Sequence, residues 1–269
     1  MKLAGILIGF MMVAADASVH DEKEDALQHE EKEDSGPMSE ECRSIFERLH
    51  CRIMVSFTDE YRVQCPRNAR ITDKHVAGLS ACQTSAIVGL EIDYNEITSL
   101  EWIQGFQGLR KLSLMFNKIE DLRPLGHLKK IDELTLLGNQ ITILKPLEHM
   151  KYMKRLSLGH NNITRLDSLS KLVKLERLFL ERNKISKIDQ LEGLSGLNFL
   201  DLSGNTLIFE DANKVEGQHL LSKKLTKMCL FDDEGDNGAI FAGPEHEYDE
   251  LCYYVGFSRI TCSPTIFEI

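Results

Sequence analysis

The sequence predicts an α/β solenoid, with a parallel β-sheet on the concave face of a stack of repeats and short helical or 3-10 segments on the convex face. Three observations carry this. Asn95, Asn117, Asn139, Asn161, Asn183 and Asn205 fall one every 22 residues without a slip. Each closes one phrase, an apolar pair spaced by two and then the asparagine, as in Leu112-Ser113-Leu114-Met115-Phe116-Asn117. All seven cysteines avoid the phrases: Cys42, Cys51, Cys65 and Cys82 precede them, and Cys229, Cys252 and Cys262 follow. A fixed period of this length marks units that cannot bury their apolar faces alone and must stack. Cysteines at both ends suit short irregular caps over the ends of such a stack, in an oxidising compartment.

At the N-terminus, Met1 and Lys2 precede an apolar run from Leu3 to Ala15, too short to span a bilayer, and Ala15-Asp16-Ala17 supplies a small-x-small cleavage pattern. Residues 1–17 are therefore expected to be a signal peptide, and residues 18–41 a disordered acidic leader. From His20 to Glu41 the chain holds ten acids against two lysines, which is most of the formal net charge of -10. The leader suits a removable propeptide, a cation binder or a mineral-facing tail. The remainder is near charge balance, so no broad basic surface for nucleic acid is expected. A cysteine-containing cap is expected over 42–86. Ser39 offers an N-cap, Glu40 and Glu41 suit a first turn, and Ile45, Phe46, Leu49 and Ile53 give a helical apolar face. Tyr61-Arg62-Val63-Gln64-Cys65-Pro66 alternates like a strand stopped by proline. This stretch resembles the N-terminal cysteine cap of extracellular leucine-rich repeat proteins, whose V-x-C strand starts the sheet, although their clustered C-x-C is missing. Four cysteines allow three pairings, which spacing leaves open.

Six repeats occupy 87–209. Leu112 and Leu114 alternate as in a strand; after Asn117 the apolar spacing widens to Ile119, Leu122, Leu125, Leu128 and Ile131, as in a turn followed by a short helical or 3-10 piece. Pro124 and Pro146 recur at one repeat position, outside the sheet. From Ile87 to Leu207 the chain resembles the 22-residue subclass of leucine-rich repeats found in the phosphatase-1 regulatory family and in bacterial internalins, which implies a horseshoe. The asparagines are expected to form a buried ladder, since an amide can serve both the donors and the acceptors left unpaired where each strand ends.

A second cysteine-containing cap is expected over 210–269, beginning with a loosely helical stretch from Asp211 to Lys224. Cys229, Cys252 and Cys262 would tie it down, and the odd total leaves one thiol that is either buried and free or links two chains. The C-terminal residues from Ser263 lack a lipid-anchor tail, so no membrane anchor is expected.

Chemistry is sparse. His246 begins His246-Glu247-Tyr248-Asp249-Glu250, without the second histidine of a zinc-protease helix. Asp232, Glu234 and Asp236 open like a calcium loop, but Asn237 replaces the turn glycine and Gly243 the bidentate glutamate. No close cysteine pairs for zinc, phosphate-cradling loop or nucleophile elbow is present. No enzyme, metal or cofactor is therefore expected. Asn162-Ile163-Thr164 is an N-glycosylation sequon, and Asn162 should face solvent beside the inward Asn161.

With the leucines inward, the residues between them lie on the outer, concave face of the sheet. There Tyr94, Met115, Phe116 and Leu137 form an apolar group, and Arg155, Arg177 and Arg182, with Phe179, a basic one; His160 shares the margin with Tyr94, Phe116 and Arg182. The expectation is a secreted extracellular protein that binds a protein or glycan through this face, in immune recognition, adhesion or matrix organisation. Two alternatives compete: a matrix or mineral-associated protein acting through its acidic leader, and an intracellular scaffold like the phosphatase regulators.

Overall fold

A computed structural model describes residues 38–82, 84–211, 214–215 and 227–229. The expected signal peptide, most of the leader, the 232–238 loop, His246, Cys252 and Cys262 lie outside the described residues.

The chain enters at α1 (Glu40–Arg48), where Ser39 accepts the Cys42 N–H at 3.2 Å and Glu40 and Glu41 sit at the positive end of the helix. The helix thus begins two residues before the expected end of the leader. It also stops short of Ile53, which the sequence pattern places on the same face. His50 turns to a φ of 56°, and Ile53 enters β1 (Arg52–Val55), an antiparallel partner of β2 (Tyr61–Gln64). Helical spacing and strand alternation coincide over so few residues that only the turn decides between them. Cys42 is bonded to Cys82 and Cys51 to Cys65, so one bridge ties α1 to the stretch before the repeats and the other closes the β1–β2 hairpin.

From β2 onward the sheet runs parallel through β3 (Ile87–Glu91), β4 (Lys111–Ser113), β5 (Glu133–Thr135), β6 (Arg155–Ser157), β7 (Arg177–Phe179) and β8 (Phe199–Asp201). Most of these strands have three residues and would not persist alone. Their register is the repeat itself: Leu90, Leu112, Leu134, Leu156, Leu178 and Leu200 pair in succession. Behind them, Leu114, Ile119, Leu122, Leu125 and Ile131 are buried, as are their counterparts in the next three repeats. Each buried leucine contributes roughly 1.5–3 kcal/mol. Pro124 and Pro146 lie in the first turn of the 3-10 segments Arg123–His127 and Lys145–His149, where an amide hydrogen is not needed.

Past the repeats, the described residues of the stretch expected to be helical, Asp211 and Lys214–Val215, are strand. Here β9 (Phe209–Asp211) pairs antiparallel with β10 (Lys214–Val215), a stretch opened by aromatic and closed by β-branched side chains. Then β11 (Lys227–Cys229) adds in parallel to β8, with Met228 buried beside the leucine column.

Candidate functional site: the outer face of the sheet

The asparagine ladder sets where this face lies. Asn139 Oδ1 accepts the Ile119 N–H at 3.0 Å, and its Nδ2 donates to Leu114 O at 2.9 Å and Leu136 O at 3.0 Å. The same three bonds recur at Asn117, Asn161, Asn183 and Asn205. Asn95 reaches the cap instead, accepting from Ile71 N–H and donating to Pro66 O, with its own-repeat bond made to Asp93 O. The asparagines are consumed by the scaffold.

Immediately before each asparagine the backbone turns left-handed, with φ between 49° and 71° at Tyr94, Phe116, Gly138, His160, Arg182 and Gly204. Each of the first five donates its N–H to the next repeat, as Phe116 does to Leu137 O at 2.7 Å. Glycine fits this conformation freely; an L side chain costs roughly 1–2 kcal/mol. Gly138 and Gly204 were the sequence signal for it.

At this margin the rings of Tyr94 and Phe116 stack at 4.6 Å, with the Arg67 guanidinium 5.2 Å from the Tyr94 ring. Phe116 also covers Gly138, where an added Cβ would meet the ring at 2.5 Å. Phe116 remains 38% exposed, and Tyr94, Met115 and Leu137 are half-buried. Asp93, which the sequence does not flag, braces this end: its carboxylate accepts the Ser113 hydroxyl at 2.6 Å and the Met115 N–H at 2.9 Å.

The basic residues are arranged differently from the expected patch. Arg155 reaches back to Glu133 at 3.1 Å, and Lys111 meets the same carboxylate at 2.8 Å, giving a cross-strand row of alternating sign. Arg177 is half-buried in the next strand and Arg182 exposed at the margin. Phe179 packs on Phe199 at 4.8 Å. Beside them lies a carboxyl that sequence reasoning missed. Glu181 is 6% exposed and lies over Gly159, whose missing Cβ leaves room for its carboxyl group. Burial, with the nearby Asp201 charge, pushes Glu181 up to about 8, and Oε2 has no hydrogen-bond partner among the described residues. Withdrawal from water also raises Asp201, against hydrogen bonds from the Ser203 N–H and hydroxyl.

No described group of three or more histidine, cysteine or acidic side chains could hold a metal ion. Asn162 is half-buried, with its N–H bonded to Ile141 O at 2.9 Å.

A family model described as leucine-rich repeats, in two copies, matches residues 153–193. The chain folds as a leucine-rich repeat solenoid. Among solved structures, this repeat protein is similar to an internalin, InlF, from Listeria monocytogenes. The two share 27% identity with a TM-score of 0.50, over 58% of this chain and 43% of that one. Internalin C2 from the same organism gives 25% identity and a TM-score of 0.49, covering 63% of this chain and 80% of its own. A leucine-rich repeat protein from Leptospira interrogans gives 27% and 0.48, over 61% and 40%. The repeat protein thus spans less than half the length of InlF and of the Leptospira protein. No curated protein gives a significant match. Leucine-rich repeat arrays are scaffolds for binding proteins, and no described helix is long and apolar enough to cross a membrane.

Proposed function

We propose that this leucine-rich repeat protein is a secreted, non-enzymatic binding protein that captures a protein ligand on the outer face of its sheet. Tyr94, Met115, Phe116 and Leu137 form the anchor, with Arg177, Arg182 and Phe179 flanking it. The carrying observation is the Tyr94–Phe116 stack. Both rings occupy left-handed positions that two other repeats fill with glycine, and Phe116 is still 38% exposed. Rings kept at a steric cost, half in water, do little for the scaffold; an interface that needs rigid aromatic anchors explains them. The paired cysteines of the cap favour an oxidising, extracellular setting over an intracellular scaffold. Recognition, adhesion and matrix organisation all fit such a protein, and a glycan could share the face.

Replacing Met115, Phe116 and Leu137 together with serine should abolish recovery of the ligand from the source fluid by affinity capture and cross-linking. Thermal unfolding of the variant should stay cooperative. Undiminished capture by a folded variant would move the site off this face.

A further inference from the structure

A second surface lies along one edge of the array, away from the sheet face. Each repeat returns from its 3-10 turn to the next strand through a short connector, and the connectors stack. The Asp132 N–H donates to Arg110 O at 2.9 Å, Lys154 to Asp132 O at 2.8 Å, and Glu176 to Lys154 O at 2.9 Å. This register lines Lys129 with Lys151 and Val173, and Lys130 with Tyr152 and Lys174. The Lys174 ammonium sits 4.7 Å over the Tyr152 ring, as the second file requires. Lys129, Lys151, Lys154 and Lys174 are exposed, and Tyr152 and Val173 are 56% and 51% exposed between them.

The three connectors 127–132, 149–154 and 171–176 hold six lysines against two acids, whereas 105–110 has one cation and 193–198 has none. Just behind them the Glu148 carboxylate is shared by Lys145 at 2.8 Å, Lys171 at 3.1 Å and His149 at 3.2 Å, one anion among three basic groups. A solvated surface has no need of one sign on one edge, and like charges one repeat apart repel. The near-balance of the chain outside the acidic leader conceals this row, because its members stand 22 residues apart.

We infer that this edge binds a linear sulfated polysaccharide. The charges recur at the repeat spacing, about 4.8 Å in the sheet, along a row rather than around a point, so they match a linear polyanion better than a single phosphate. The row itself is built of lysines, point charges that accept sulfates in varied orientation, and lacks the arginine forks that read phosphates and base edges. A single-stranded nucleic acid would need a succession of stacking rings, and Tyr152 is alone and already faced by Lys174. Tyr152 and Val173 sit on fixed turns among lysines, which gives too little apolar area to insert into a bilayer.

The test uses the full chain and heparin as the probe. At about 0.15 M salt the protein, despite its net charge of -10, should be retained on immobilised heparin and released by salt, with log affinity falling linearly with log salt. Lys151→Gln, Lys154→Gln and Lys174→Gln together should weaken binding at least roughly tenfold and flatten the salt slope, with arginine at the same positions restoring it. Lys118→Gln, which lies outside the connectors and pairs with Glu96 at 3.2 Å, should change nothing. The Met115, Phe116 and Leu137 serine variant should bind heparin normally, which separates this surface from the sheet face. No retention, equal loss in the Lys118 control, or tighter binding to single-stranded DNA or phosphatidylserine vesicles than to heparin would overturn the inference.

Discussion

Asn139 shows what one side chain does for this array. Its amide accepts one bond and donates two, joining Ile119 and Leu114 of the preceding repeat to Leu136 of its own. Asn139→Asp keeps the acceptor but turns a carboxylate towards two carbonyl oxygens. The loss should be about 2–3 kcal/mol, measured by urea unfolding. Glu181 is the opposite case, a polar group held without full satisfaction. Its pKa of about 8 stands above the ordinary 4.5, so the folded protein keeps a proton that the unfolded chain gives up over that interval. Glu181 therefore favours the fold most below pH 4.5, and that contribution is lost as pH rises through 8; Asp201 shifts the same way. Glu181→Gln should flatten the decline and stabilise the protein at pH 8 by roughly 1–3 kcal/mol, seen by comparing unfolding at pH 5 and pH 8. An unchanged pH profile would mean that the carboxyl is solvated. The burial of Glu181 was not legible in advance, because the space for its side chain is created by Gly159, a neighbour only once the strands are in register.

Among elements, the repeats were readable and the ends were not. Strand, turn and 3-10 segment recur with the period, so the columns Lys111, Glu133, Arg155 and Ser113, Thr135, Ser157 followed from counting. Ile53 and the β9–β10 hairpin fall where no repeat disciplines the pattern, and short apolar runs there suit helix or strand equally. The cysteine pairing likewise depends on how α1 packs against the stretch before β3, which spacing does not encode. The cap it secures buries Phe46 against Phe106 at 6.4 Å, sealing the first repeat. Replacing Cys42 and Cys82 by serine should lower stability by about 2–4 kcal/mol, as a bridge spanning 40 residues restricts the unfolded chain. Circular dichroism melts would check this, and an unaltered midpoint would show that packing alone holds the cap.

For the whole molecule, the outer face was placed by the sequence but its contacts were not. Tyr94 and Phe116 were expected together and do stack, whereas Arg155 is tied to Glu133, a partner one repeat back that a list of basic residues overlooks. The asparagine ladder carries one more consequence. From Asn117 onward, the ladder bonds that cross between repeats span 20 or 25 positions, so the pattern is unchanged if a whole unit is removed and is destroyed by an insertion of any other length. Excision of residues 177–198 should leave a folded, cooperatively melting protein one repeat shorter, while a single residue inserted before Asn161 should not fold as well. Inheritance can therefore lengthen or shorten this protein only in steps of one repeat, and each step carries one new strip of sheet face and one new connector with it.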